Sequence, residues 1–295
     1  MTEYLKQKTI GRNMEFSGTG VHSGKTNHIV IKPAPANHGI QFLRVDLPGT
    51  APIQALFHKV VDTSLATVLG ENGTIVSTIE HLMASFAGLG IDNALVEMDE
   101  YEMPIMDGSA HVFTQKILQA GVVTQNLPKH VFMVKKPFRV EQGDKFVQVL
   151  PAPFFKVTCS IEFDHPLIGK QEISFDHIQN DFAREISRAR TFGFMKDIAM
   201  LERFGLGKGG SLDNAIIIDQ DSILNEEGLR YPDEFVRHKL LDSLGDFSLL
   251  GMGIQGHIVC HKSGHELNHL FIKSFLDNRN AWETGPATME KYTAA

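Results

Sequence analysis

Apolar residues recur at two spacings along this chain, and each spacing marks a kind of element. Residues 26–32 (Thr-Asn-His-Ile-Val-Ile-Lys) read as a strand, and 33–39, with Pro33, Pro35 and Gly39, as a loop. Apolar positions at helical spacing over 75–87 put Leu82, Met83 and Phe86 on one side of a helix. Gly88 and Gly90 end it, and 93–98 follows as a strand. A second helix covers 109–120 and closes at Gly121. The polar, Pro-containing stretch 126–130 marks a boundary, after which strands dominate from 131 through 163. Further on the pattern predicts a helical stretch over 181–204, a loop over 205–210 and a strand over 215–219. A long helix over 233–250 and a strand over 256–260 follow.

Two segments echo each other across that boundary. Glu80-His81-Leu-Met-Ala-Ser-Phe-Ala-Gly88 and Arg237-His238-Lys-Leu-Leu-Asp-Ser-Leu-Gly245 align His on His and Gly on Gly. The expected fold is therefore α+β, with related domains at 1–126 and 131–295. Each has helices packed on a sheet and donates one helix to a shared cleft.

The second of these helices carries His238, Asp242 and Asp246, four residues apart. Four residues advance a helix by roughly 400°, so the three side chains form one slanting stripe, while Leu240, Leu241 and Leu244 point elsewhere. An imidazole and a carboxylate one turn apart serve equally as a surface contact or as two legs of a metal site. The first helix offers Glu80 and His81, which flank one spot, and which also fit a surface Glu beside a half-buried His. Combined, His81, His238 and Asp242 make two imidazoles and a carboxylate with a position left open, the donor set of a catalytic zinc site. Such an ion lowers the pKa of its water and polarises a carbonyl, and Glu80 would be the base that takes the proton.

Two further segments carry reactive side chains. Lys262-Ser-Gly264-His265-Glu-Leu-Asn268 reads as a glycine-containing loop that frees His265 to approach a ligand, or leaves it in solvent. Ser187-Arg-Ala-Arg-Thr191-Phe-Gly-Phe194 offers guanidinium groups for an anion and a hydroxyl for a developing oxyanion, or a helix with solvated arginines. His257, His261 and Cys260 fall on strand and turn and are not assigned to the metal.

Composition narrows the function. A formal charge of −7 over 295 residues lacks the basic footprint of a nucleic-acid binder. Cys159 and Cys260, without Cys-x-x-Cys spacing, fit a reducing compartment. The chain start lacks the apolar run of a signal peptide, and no stretch approaches a membrane span, so a cytoplasmic protein touching a membrane at most peripherally is expected. Gly205-Leu-Gly207-Lys-Gly-Gly210 matches the letters of a dinucleotide fingerprint, but a helix precedes it and a strand follows, the reverse of what that motif requires. Gly24-Lys25-Thr26 lacks the upstream glycine of a phosphate loop, since Thr19 stands there.

In this order, the segments resemble the UDP-3-O-acyl-N-acetylglucosamine deacetylases, the zinc amidases that commit Gram-negative bacteria to lipid A synthesis. The resemblance rests on Gly20-Val-His-Ser-Gly24, Thr78-Ile-Glu-His-Leu82, Gly88-Leu-Gly-Ile-Asp-Asn93 and Pro104-Ile-Met-Asp-Gly-Ser109. It continues through residues 187–194, 236–246 and Lys262-Ser-Gly-His265, nearly the whole chain. It implies hydrolysis of the acetamide of UDP-3-O-acyl-GlcNAc to acetate and free amine. It also implies His81, His238 and Asp242 as zinc ligands and Glu80 as general base. His265 looks like the protonated partner of the oxyanion and leaving amine, oriented by Asp246, with Thr191 as a further oxyanion donor and Lys239 near the reacting end of the substrate. Phe163 matches a uridine contact and Lys262 a diphosphate contact. An insert near 193–220 is expected to form an apolar acyl-chain tunnel, with Phe192, Met195, Ile198, Leu212 and Ile217 as substrate contacts. Ordinary core packing explains Met195, Ile198, Leu212 and Ile217 equally well. Ala66 stands where some relatives carry a cysteine near the metal, so that thiol is absent here.

Three alternatives are set beside this reading. A non-catalytic binder of acylated UDP-sugars would be expected to have lost Glu80 or a ligand, and none is lost. A hydrolase of a different acylated amino sugar would keep them all. Iron(II) suits a His₂Asp set as well as zinc does. The protein is expected to act as a monomer on its small-molecule substrate.

Overall fold

A computed structural model describes residues 5–177 and 179–288; the end of the expected second domain, 289–295, lies outside the described residues. The chain folds as two α+β domains. The first is built on a five-stranded sheet in the order Met14–Thr19, Thr26–Pro33, Ala94–Met98, Ile40–Arg44, Ile53–Gln54. Thr26–Pro33 shows why the sheet forms: Asn27, Ile29 and Ile31 are buried on one face while Thr26 and His28 face solvent. Helices α1 (Glu80–Leu89) and α2 (His111–Ala120) belong to this half.

The second domain has a seven-stranded sheet. Gly253–His261 runs through it, antiparallel to Lys145–Leu150 and parallel to both His130–Val134 and Phe155–Phe163. Helix α3 (Phe182–Glu185) is one short turn, and α4 (Met195–Arg203) buries none of its residues. Helix α5 (Glu234–Ser248) is buried along most of its length, and α6 (His265–Asp277) buries Leu267, Phe271 and Phe275 on one face. The turn between the halves is tight, since Val122–Pro128 pairs antiparallel with Lys6–Ile10 and His130–Val134 begins two residues on.

Three expected elements are redrawn. The helix expected over 75–87 begins only at Glu80. Thr74–Val76 is instead the last strand of a three-stranded meander with Val60–Asp62 and Val68–Glu71. Thr78 then sits at φ 60, a left-handed conformation that a β-branched residue adopts at a cost and that no helix continues through. The stretch 181–204 is not one helix: α3 ends at Glu185, and Phe192–Phe194 leaves the helical path to pair in parallel with Ile216–Ile218. His265 lies not on a loop but at the first residue of α6, following Gly264.

Helices α1 and α5 cross at the join between the domains. Gly245 makes the crossing possible, because a Cβ there would lie 2.2 Å from the Glu80 carbonyl oxygen. Gly88, its counterpart on α1, meets the Phe182 ring in the same way. Both histidines of the repeated segment end up at this crossing, their rings edge to face with centroids 5.1 Å apart.

Candidate metal centre in the cleft

The crossing gathers the predicted ligands. His81, His238 and Asp242 are buried, and one donor atom from each lies within 4.8 Å of the others. Nε2 of His238 is 3.3 Å from Asp242 Oδ1, and Nε2 of His81 is 3.7 Å from the same oxygen. His238 Nδ1 donates to the Ala189 carbonyl at 3.1 Å, so its Nε2 carries the free lone pair on the side facing Asp242. Burial, and after it the neighbouring His238, pushes His81 down to about 3; burial likewise lowers His238. Burial acts to raise Asp242, but His238 and Lys239 outweigh it and hold the carboxylate well below its ordinary range. Two neutral imidazoles and an ionised carboxylate on one point are the donor chemistry of a divalent cation, and the residues fit one.

Glu80 and His265 stand beside this group. Burial raises Glu80 to about 7, against the pull of His265, and its Oε2 accepts from the Thr67 amide at 3.1 Å. His265 Nδ1 donates to Asp246 Oδ2 at 2.9 Å, and its Nε2 comes within 4.0 Å of Glu80 Oε1. Burial alone would lower His265, yet the charge of Asp246 and its hydrogen bond lift it to about 10, so the imidazole is charged at neutral pH. Two titratable groups whose environments push them in useful directions, side by side in a cleft, are the arrangement of an acid and a base.

Asp246 thus leaves the metal group and belongs to the histidine. Its carboxylate also accepts from Thr67 Oγ1 at 2.6 Å and from Asn268 Nδ2 at 2.8 Å. Thr67 and Asn268 escaped the reading of the sequence, although both lie in segments it singled out, one residue beyond Ala66 and three beyond His265. Lys239 Nζ is 3.1 Å from Asp242 Oδ2, and that carboxylate raises it against the effect of burial.

Thr191 is fixed through its backbone, donating its amide to Gly108 and accepting from Ile216, both at 2.8 Å. Next to it Arg190, only 1% exposed, directs both its amide and Nε to Glu234 Oε1 at 3.0 Å. That buried pair holds the short segment from Ala189, which orients His238, to Thr191. The sequence offered these arginines as partners for phosphate or carboxylate, or as solvated side chains; Arg190 pairs with carboxylates, but with the protein's own Glu234 and Glu227.

The proposed substrate contacts divide. Phe163 and Phe192 meet edge to face at 5.8 Å, and Phe192 in turn faces Lys239 Nζ at 5.7 Å. Lys262 is tied to Asp144 at 2.6 Å and to Glu162 at 3.3 Å, on the strand that carries Phe163. Met195 is 47% exposed and Leu212 45%, so core packing does not account for them; Ile198 and Ile217 are half-buried. The 205–210 loop follows α4, and its Gly209 amide donates to the Val21 carbonyl at 3.0 Å, joining the second domain to the first domain's 20–24 turn.

The chain is similar over most of its length to one family of proteins. A model of the UDP-3-O-acyl N-acetylglycosamine deacetylase family matches residues 7–277. The UDP-3-O-acyl-N-acetylglucosamine deacetylase of Myxococcus xanthus is 49% identical over 281 residues, covering 95% of this chain and 90% of the relative. The enzyme of the same name from Acidithiobacillus ferrooxidans is 48% identical, covering 95% and 92%. That of Idiomarina loihiensis is 46% identical over 293 residues, covering 98% and 96%. With a match over this much of its length and a cleft of this composition, the chain belongs to the UDP-3-O-acyl-N-acetylglucosamine deacetylase family.

Proposed function

We propose that the protein hydrolyses the acetamide of UDP-3-O-acyl-N-acetylglucosamine to acetate and the free amine, the committed step of lipid A biosynthesis. The observation that carries this reading is the convergence of His81, His238 and Asp242 with a base, Glu80, and a charged histidine, His265, in one buried cleft. His81, His238 and Asp242 would hold zinc, with iron(II) as the alternative, and the bound cation supplies positive charge that acidifies water and polarises the amide carbonyl.

The remaining chemistry belongs to the chain. Glu80, placed near neutrality by burial, takes the proton of the attacking water. His265, kept charged by Asp246, faces the developing oxyanion and then protonates the departing amine. The Thr191 hydroxyl donates to the same oxyanion, and Lys239 adds positive charge at the reacting end. Phe163 and Phe192 form an aromatic wall for the nucleotide-sugar, and Lys262 serves the diphosphate once drawn from its carboxylates. The apolar side chains of the 193–220 insert, exposed Met195 and Leu212 and half-buried Ile198 and Ile217, take the acyl chain. The domains divide as 1–126 and 131–295. The protein works in the cytoplasm as a monomer; no helix among the described residues is long and apolar enough to cross a membrane.

A metal-dependent deacetylation assay on UDP-3-O-acyl-GlcNAc over a series of chain lengths tests the reading, and absence of turnover with every chain would leave a binding protein instead. His238→Ala should lower metal content after anaerobic purification; stoichiometric metal in that variant refutes the ligand set. The same analysis on the unaltered chain decides between zinc and iron.

A further inference from the structure

Behind the catalytic cleft, the far ends of the same two helices enclose a cavity of about 680 Å³. Its floor is apolar and buried: Met83 and Phe86 of α1, Leu244 and Phe247 of α5, and Val131 and Ile254 of the second sheet. None of the ligands, nor Glu80, His265 or Thr191, lines it. The volume falls within the roughly 300–1,000 Å³ of small-ligand sites.

Charge is confined to the solvent side. Lys6, Lys8 and Lys129 line the cavity and are half-buried or exposed, against a single lining carboxylate, Asp92. Lys129 Nζ is paired with Asp92 at 2.8 Å, and among the described residues neither the Lys6 nor the Lys8 ammonium group forms an ion pair. Lys8 Nζ lies over the C-terminal turn of α1, 3.9 Å from where a Cβ on Gly90 would stand. Asp92 is held on both sides, by Lys129 and by the Lys8 backbone amide at 2.8 Å, which leaves the Lys6 and Lys8 ammonium groups as the unpaired charges at the edge. A deep apolar floor with such an edge fits an occupant with a long apolar tail and one anionic head. The flexible Met83 and Met252 side chains suit an unbranched chain better than a rigid ring system.

We propose that this cavity binds a single long-chain acyl anion, tail against the α1–α5 floor and head at Lys6 and Lys8, separately from the catalytic cleft. The site does not depend on the deacetylase reading. Its position gives it a means of control, because Met83 follows Glu80 by one turn and Leu244 lies between Asp242 and Asp246. Any effect of the occupant on substrate affinity is met by an equal effect of substrate on the occupant.

Calorimetric titration of the full chain with tetradecanoate below its micelle concentration, and with a tetradecyl ammonium of the same length, tests the proposal. The carboxylate should bind roughly tenfold or more tightly than the ammonium. Ala87→Trp, which fills the cavity from α1, should weaken the carboxylate by roughly the same factor while turnover at saturating substrate is unchanged. The double variant Lys6→Glu with Lys8→Glu leaves the floor intact and should reverse the preference for head charge, which keeps the test decisive if the tryptophan is not tolerated. A photoactivatable tetradecanoate should label peptides containing residues 83–91 and 247–254. Label confined to 192–218, wild-type affinity in a folded Ala87→Trp variant, or an unaltered head preference in the double variant would each overturn it.

Discussion

Helices α1 and α5 bring matching histidines to one point, yet they deliver their functional groups in opposite ways. Helix α5 presents His238, Asp242 and Asp246 from interior turns, where regular helical geometry sets their direction. Helix α1 presents Glu80 and His81 from its first turn, directed by the left-handed Thr78 and the reversal out of the preceding strand. A stripe of period four is a property of the helix alone. A pair at a helix start is a property of the turn before it. The glycines differ in the same sense: Gly245 admits the backbone of the partner helix, whereas Gly88 admits only the ring of Phe182.

Variants at these positions sharpen the contrast. The largest effect is expected for Glu80→Gln, which should retain stoichiometric metal while turnover falls by roughly 10²–10⁴-fold; near-normal turnover would remove Glu80 from the role of base. Next comes Asp246→Asn. His265 has its folded pKa raised from 6.5 to about 10, so its charge stabilises the fold fully below pH 6.5, and that contribution is lost as pH rises towards 10. The deficit of the variant against wild type, measured by urea unfolding of metal-free protein, should be on the order of a few kcal/mol at the acidic end of that window and shrink towards the alkaline end. A deficit that does not vary with pH would mean that Asp246 is only a packing group.

Gly245→Ala and Gly88→Ala compare the two helices directly. Each should destabilise by roughly 1–3 kcal/mol, with Gly245 the more costly because the Glu80 backbone cannot swing aside as the Phe182 ring can. Equal losses would mean that the helix crossing adjusts as freely as a side chain. The smallest effect is expected for Asn268→Ala, roughly 1 kcal/mol from one hydrogen bond to Asp246, read as a drop in urea midpoint at unchanged m-value.

The same contrast explains what could be read from the chain in advance. The α5 stripe was legible because helical periodicity alone aligns its members, and α2 was placed within two residues. The start of α1 was not, since Ile75 and Val76 suit a helix or a strand and nothing local announces a threonine at positive φ. The role of Asp246 was beyond periodicity altogether: at helical spacing it belongs with the ligands, and only the approach of α6 and Thr67 draws it to His265. Thr67, Asn268 and the Arg190–Glu234 pair act through partners distant in sequence, which spacing within one element does not report. The single helix expected over 181–204 failed because pairing of Phe192–Phe194 with Ile216–Ile218 overrides local propensity.

The bond from the Gly209 amide to the Val21 carbonyl has a consequence for how the molecule assembles. It joins a turn near the beginning of the chain to a loop beyond its midpoint, two segments that no local pairing brings together. Closing so long a loop brings no local reward along the way. This contact is therefore expected to form late, after the domains on either side of it have taken shape. Hydrogen exchange at Gly209 should outpace that of the buried α5 amides.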